Sequence, residues 1–294
     1  MKPHALGSFV AMILLLATSA DRVSAQAGAP RTLGGCPLEP VKLHDCALSK
    51  MKAVTPPRTA DGRPDMQGYW ERAFTSQDVE EHGAGVGIQA GPSLVIDTPD
   101  RRIPYQPWAR EFRKNITERF ISPLASCAPP GVPRHAIAPA AHQIVQTPGY
   151  VLYLLEYSHS YRVIPTTPEA HVGSAVKLWE GNSRGRWEDN TLVVDVTNTN
   201  GLAWLDNAGN FVSDALHVVE RLTLVDRNTI HYEARVEDPH VFTRPWTIVS
   251  ALVRNTEPDF EVWEQACHEG NQSVEDQLRL GMKPFPGAAP PGGN

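Results

Sequence analysis

From His142 to Cys267 the chain alternates apolar and polar residues with a period of two. That is the repeat of a β-strand with one face on a core, and it leaves little room for a helical reading. Tyr150–Leu155, Tyr161–Ile164, Leu192–Val196, Leu216–Val225, Thr229–Glu237, Trp246–Val253 and Phe260–Cys267 carry the pattern. Tyr150–Leu155 is apolar on both faces, which suits a central strand, whereas Thr229–Glu237 places His231, Glu233, Arg235 and Glu237 on one wet face. Asp189-Asn190 reads as a two-residue hairpin turn, and Asp238-Pro239 as a second reversal. About eight strands with turn signals between them predict a mainly β fold, an antiparallel barrel or sandwich of lipocalin-like type. One amphipathic helix is expected, from Pro107 to Phe120, with Trp108, Phe112, Ile116 and Phe120 on a single stripe.

The ends read differently. Residues 1–25 have the form of an export signal: Lys2 and His4, the apolar run Phe9–Leu16, then Val23-Ser24-Ala25 as a small-x-small cleavage site. The apolar run is too short to span a bilayer, so no stable membrane insertion is expected. Leu33-Gly-Gly-Cys36 resembles a lipid-attachment box, but it lies far past the apolar run, behind Asp21, Arg22 and Arg31. Residues 26–65 are rich in Pro and Gly and lack periodicity, so they read as a lead segment. Residues 66–275 form a single β-rich domain, and 276–294 read as a disordered tail. A periplasmic or secreted protein follows.

The four cysteines suit that compartment. Cys36 with Cys46, and Cys127 with Cys267, is the expected pairing. The second would close a long loop and contribute roughly 4 kcal/mol by the chain-entropy model. A formal charge of -6 provides no basic field for nucleic acid.

Three carboxylates break the alternation. Glu220 falls on the face of Leu216, Val218, Leu222 and Leu224. Glu264 falls with Phe260, Val262 and Ala266, and Glu156 with Leu152 and Leu154. A carboxylate on an oily face needs a cation, a hydrogen-bond network or a proton. Arg162, Arg221 and Arg134 are candidate cations, and His142, His159, His171 and His217 candidate proton carriers. Salt bridges that lock strand register are the plain alternative to a polar site inside the barrel.

Other motifs say less. Gly181-Asn-Ser183-Arg-Gly185 matches a nucleophile pattern, but turn and strand follow it where a helix is required. Gly83, Gly85 and Gly87 lack the strand before and the Lys-Ser/Thr after that a phosphate loop needs. No His-x-His or His-Glu-x-x-His occurs, so no metal and no organic cofactor is expected. Trp204 and Asp206, in the Gly/Asn-rich loop Asn198–Asn210, could rim a pocket, or Trp204 could plug a barrel end.

Several stretches together resemble a family of exported proteins from proteobacteria and acidobacteria. They are Pro57–Asp65 with Gly68-Tyr-Trp70, Cys127-Ala-Pro-Pro-Gly-Val-Pro-Arg134, Gly181–Glu188 with Thr191-Leu-Val-Val-Asp195, and Leu216-His-Val-Val-Glu-Arg221. Glu237-Asp-Pro239 with Pro245-Trp246, and Glu264 with Cys267, complete the set. The resemblance spans roughly residues 56–270. It implies no particular reaction. Where that family has Glu-Gly-Asp-Thr, this chain has Glu188-Asp-Asn-Thr191.

These readings lead to an expected small-molecule enzyme of the lyase, isomerase or hydrolase kind. Glu220 or Glu264 would serve as base, His159 or His217 as acid, and Arg162 or Arg221 as clamp for an oxyanion or carboxylate. Glu156, His142, Trp204 and Asp206 would help to bind substrate. A lipocalin-like carrier of an apolar ligand and a structural envelope protein are the alternatives.

Overall fold

The computed structural model describes residues 33–73, 78–85 and 89–288. The expected signal segment lies outside them. Helix α1 (Pro40–Met51) begins where Glu39 accepts from the Lys42 amide and proline occupies the first turn. It arises inside the segment read as an unstructured lead, and the Cys36–Cys46 bridge ties its first half. Strand β1 (Gly68–Arg72) follows. The expected helix at 107–120 is real but broken. Helix α2 (Pro107–Arg113) stops, Asn115 adopts a left-handed φ of 55°, and α3 (Ile116–Arg119) leads into the short β2 (Phe120–Ile121). Asparagine tolerates that conformation, so the break falls there. The proline-rich run ends in α4 (Arg134–Ile137), whose four residues are all buried.

The barrel strands then arrive: β3 (His142–Thr147), β4 (Tyr150–Leu155), β5 (Ser160–Pro165), β6 (Asn182–Glu188) and β7 (Thr191–Thr197). The long β8 (His217–Asp226), β9 (Thr229–Glu237) and β10 (Trp246–Arg254) complete them. Helix α5 (Ser273–Arg279) and β11 (Lys283–Pro284) end the described chain. The nine strands form one antiparallel, nearly closed barrel in the order β5-β4-β3-β1-β10-β9-β8-β7-β6. Both expected disulfides are present. No helix of the described residues is long and apolar enough to cross a membrane.

The odd strand count has a geometric result. In an antiparallel sheet neighbours alternate in direction, so the first and ninth strands, β5 and β6, run the same way. Closing the ring would take a parallel ladder at one place only, with a slanted hydrogen-bond pattern unlike the other eight. No ladder joins β5 to β6 among the described residues, and the two edges meet through side chains. A Cβ placed on Gly185 of β6 would come within 2.8 Å of Ile164 on β5, so glycine permits the approach. We call this junction the seam.

Three expectations need correction. Phe260–Cys267 is not a strand. Hairpin logic would set it beside β10, but β1 already occupies that edge, with Trp70 opposite Arg254. The segment instead runs as an irregular strap, joined to the proline-rich run by Cys127–Cys267. The tail is not structureless as far as residue 288: β11 pairs in parallel with β2, and the buried Phe285 packs on Phe120 and Trp204 at ring distances of 5.8 and 5.7 Å. The face of β9 read as wet is half covered, because α1 lays His44 over the buried His231.

Candidate functional site

On β5 the inward residues are Ser160, Arg162 and Ile164, and on β8 they are Val218, Glu220, Leu222 and Leu224. Arg162 and Glu220 meet inside the barrel. Arg162 Nη1 donates to Glu220 Oε1 at 3.0 Å, and Nη2 donates to Glu220 Oε2 and, at 3.0 Å, to Ser183 Oγ on β6. Tyr232 on β9 donates its hydroxyl to Glu220 Oε1 at 2.8 Å. Both partners are almost wholly shielded from solvent, with side-chain exposures of 2 % and 0 %. A single guanidinium therefore bridges β5 to β6 and β8 across the seam. It holds the two edges where backbone bonding does not.

The electrostatics agree with that bidentate geometry. Burial works against the Arg162 charge, but the adjacent Glu220 carboxylate outweighs it and holds the guanidinium above its ordinary range. Burial, then the charge of Glu220, pushes the Tyr232 phenol well above its ordinary value, and Tyr153 follows for the same two reasons. Both phenols stay protonated, and that of Tyr232 donates to Glu220. Glu220 is thus committed on both oxygens and poorly placed to act as a free base.

A cavity of about 350 Å³ opens at the seam. Ser160, Arg162 and Val163 line it from β5; Leu178, Glu180, Gly181 and Ser183 line it from β6 and the segment before; Pro129 and His159 stand at its margin. Behind Glu180 lies His135 of α4, fully buried, with Nδ1 3.2 Å from Glu180 Oε1. The imidazole of His135 stands edge-on to Tyr153 at 4.9 Å, and Tyr153 lies 5.5 Å from the ring of His142. Register carries this arrangement: Tyr153 is opposite Arg162, and Leu155 separates His142 from Ser160 across β4. Burial, reinforced by His135, lowers the His142 pKa to about 3, so this ring is neutral.

Buried polar atoms without a protein partner gather here. Five of them belong to this group: His135 Nε2, Tyr153 Oη, Ser160 Oγ, Arg162 Nε and Glu180 Oε2. Left unsatisfied, each would cost about 1–3 kcal/mol, and together they would rival the whole stability of a domain. Such groups persist only where water or a polar guest meets them.

The expected site residues divide. Arg162, Glu220 and His142 come together inside the barrel, and His159 reaches the cavity margin. The others do not. Glu264 lies on the strap with its side chain 86 % exposed, touching only the margin through His159 at 3.9 Å. His217 and Arg221 have the opposite parity to Glu220 on β8 and point outward. Arg221 pairs with Glu188 at 2.9 Å, and that hydrogen bond holds the Glu188 carboxyl below its ordinary range. His217 and His171 both meet Asp195 Oδ1, at 3.2 and 3.1 Å, on the outer surface of β7. No group of three or more His, Cys, Asp or Glu among the described residues is placed to hold a metal ion.

Glu156 closes a turn, accepting from the Ala141 amide at 3.4 Å, and its side chain does not line the cavity. Trp204 is buried against Phe285, so it plugs the core and forms no rim. Asp206 is a loop staple that accepts from the Val79 and Asn210 amides at 2.9 and 3.0 Å. Burial raises its pKa against those hydrogen bonds. Arg134, the third candidate cation, is buried in α4 and donates to Asn207 and the Trp204 carbonyl.

Sequence reasoning missed His135, Glu180, Tyr153, Ser160, Ser183 and Tyr232. Parity on β9 placed Tyr232 inside, whereas Ser160 falls one residue before the expected strand Tyr161–Ile164 and shares its face with Arg162 and Ile164. Nothing local marked His135, which follows a run that resists regular structure, or Glu180, which precedes a strand. No protein-family model matches the chain, and a search of curated proteins finds no similar one.

Proposed function

We propose that this chain is an exported small-molecule enzyme that performs acid–base chemistry in the seam cavity, with Glu180 and His135 as its proton-transfer pair. The observation that carries the reading is the contact between Glu180 Oε1 and His135 Nδ1 at 3.2 Å, with Glu180 Oε2 and His135 Nε2 both unpartnered. Such a pair can hold one proton between its members while the second carboxylate oxygen addresses a bound molecule. Ser160 Oγ and the Nε–H of Arg162 are unpartnered at the same cavity and can stabilise an oxygen that gains negative charge. The expected Glu/His chemistry is kept, and its residues change from Glu220 or Glu264 with His159 or His217 to Glu180 with His135.

A lyase, isomerase or hydrolase of this kind needs no organic cofactor. The signal-like residues 1–25 and the two disulfides support placement in the periplasm or outside the cell. Membership of the exported family named above is part of the proposal. An apolar-ligand carrier fits the margin formed by Pro129, Val163 and Leu178 but not the polar floor.

The test is a turnover screen across ester, lactone, glycoside and β-elimination substrates. One class is expected to react, and Glu180→Gln or His135→Asn should then lower kcat by about 10²–10⁴ with an unchanged melting temperature. Turnover undiminished in both variants, or none in any class, removes the enzymatic reading.

A further inference from the structure

We infer that the seam cavity binds a neutral or cationic small molecule whose head carries both a hydrogen-bond acceptor and a donor, of the amide, lactam or amino-alcohol class, and that it rejects carboxylates and phosphates. This rests on the seam cavity being the functional site. The ligand is set by the hydrogen-bonding capacity that remains once the protein has satisfied itself. Carboxylate and phosphate recognition relies on a guanidinium fork with two parallel N–H groups. Arg162 is the guanidinium lining the cavity, and its fork is already filled: Nη1 and Nη2 serve Glu220 and Ser183. Its Nε–H and the second Nη1–H remain, on opposite edges of the guanidinium, so the two do not make a parallel fork.

The charge that remains is negative. Glu220 cancels Arg162, while Glu180 brings a carboxylate whose Oε2 has no protein partner. An incoming anion would face that oxygen without a free cation to offset it. A ligand acceptor suits Arg162 Nε, and a ligand N–H, O–H or ammonium suits Glu180 Oε2. Ser160 can serve either side. The apolar flank of Pro129, Val163 and Leu178 takes the rest of the molecule.

The experiment uses the full mature chain and a size-matched fragment set: a lactam, a primary amide, an amino alcohol, a carboxylate and a phosphate monoester. Binding is read from the amide signals of Ser160, Arg162, Gly181 and Ser183 in two-dimensional NMR. The lactam, amide and amino alcohol are expected to move these signals with a Kd at least tenfold below that of either anion. Glu180→Gln should erase most of that margin for the amino alcohol. A margin below tenfold, or tighter binding of an anion at the same four amides, overturns the ligand class and leaves the seam site standing. If no fragment of any charge moves those amides, the ligand class and the site both fall.

Discussion

The wall of the barrel around β8–β10 and the wall around β4–β6 share one pleat, but they are filled by different means. In the first, Leu222, Ile230, Ala234, Val236, Trp246 and Ile248 close the interior with apolar side chains. Beyond it Phe211 gathers Tyr105, Trp108, Phe112 and Phe285 at ring distances of 5.3–6.4 Å. In the second, Tyr153, Ser160, Arg162, Ser183 and Glu180 bring polar groups inward, several without a partner. Apolar packing is non-directional and tolerates small errors, so it suits a wall that has only to be stable. A polar interior needs every group met, and it stays only where the geometry prevents a simpler filling. The contrast gathers the unpartnered polar groups at the one junction the backbone leaves open among the described residues.

The sharpest way to break this comparison is to remove the bridging cation. Arg162→Met strands Glu220 in the interior and is expected to cost about 3–5 kcal/mol, read as a fall in the urea midpoint. Arg162→Met with Glu220→Leu should recover most of that loss, since the cost comes from an orphaned charge. A single-variant loss below about 1 kcal/mol would mean the pair is not what holds the seam.

The apolar wall should answer next. Phe285→Ala removes a ring packed on Phe120, Trp204 and Phe211, and is expected to cost about 3 kcal/mol. It should leave ligand-induced shifts at the seam unchanged. An unaltered urea midpoint would show that residues 283–285 add nothing to the wall.

Acid should act on both walls, in an effect graded over pH. His142 in the polar wall and His231 beneath α1 both have pKa values lowered to about 3, His142 by burial and then His135, His231 by burial and then His44. In the unfolded chain each takes up a proton near its ordinary value of about 6.5. Stability is therefore complete above that pH and declines as pH falls toward 3. The slope is about 1.4 kcal/mol per pH unit for each histidine. Urea midpoints at pH 7.5 and 5.0 measure it, and His231→Asn should halve it. A pH-independent midpoint would mean that neither ring is held neutral.

Much of the architecture was legible from alternation alone. Parity put Glu220, Val218 and Leu222 inside, and Ile230, Tyr232, Ala234 and Val236 with them. The same parity assigned His217 and Arg221 to the outer face, so their nomination as site residues followed proximity in sequence where face was decisive. Glu264 failed for a different reason. Its alternation is genuine, but β1, from the other end of the chain, had taken its place beside β10, which local pattern does not register. Trp204 and Asp206 were visible as unusual loop residues, and loop position does not separate a core plug from a pocket margin. His135 and Glu180 depend on a pairing 45 residues apart in the chain, set by how the proline-rich run packs against the first residues of β6.

An uneven number of staves cannot make a hoop whose neighbours all run opposite ways. This barrel has nine. Its circumference therefore contains one join that cannot repeat the antiparallel ladder, and here that join is made from side chains, which can be rewritten by substitution without disturbing a single rung of backbone bonding. The same arithmetic makes that join the place where new specificity can arise while the rest of the ring stays as it is. An even-stranded version of this ring could seal itself with one more antiparallel ladder like all the others.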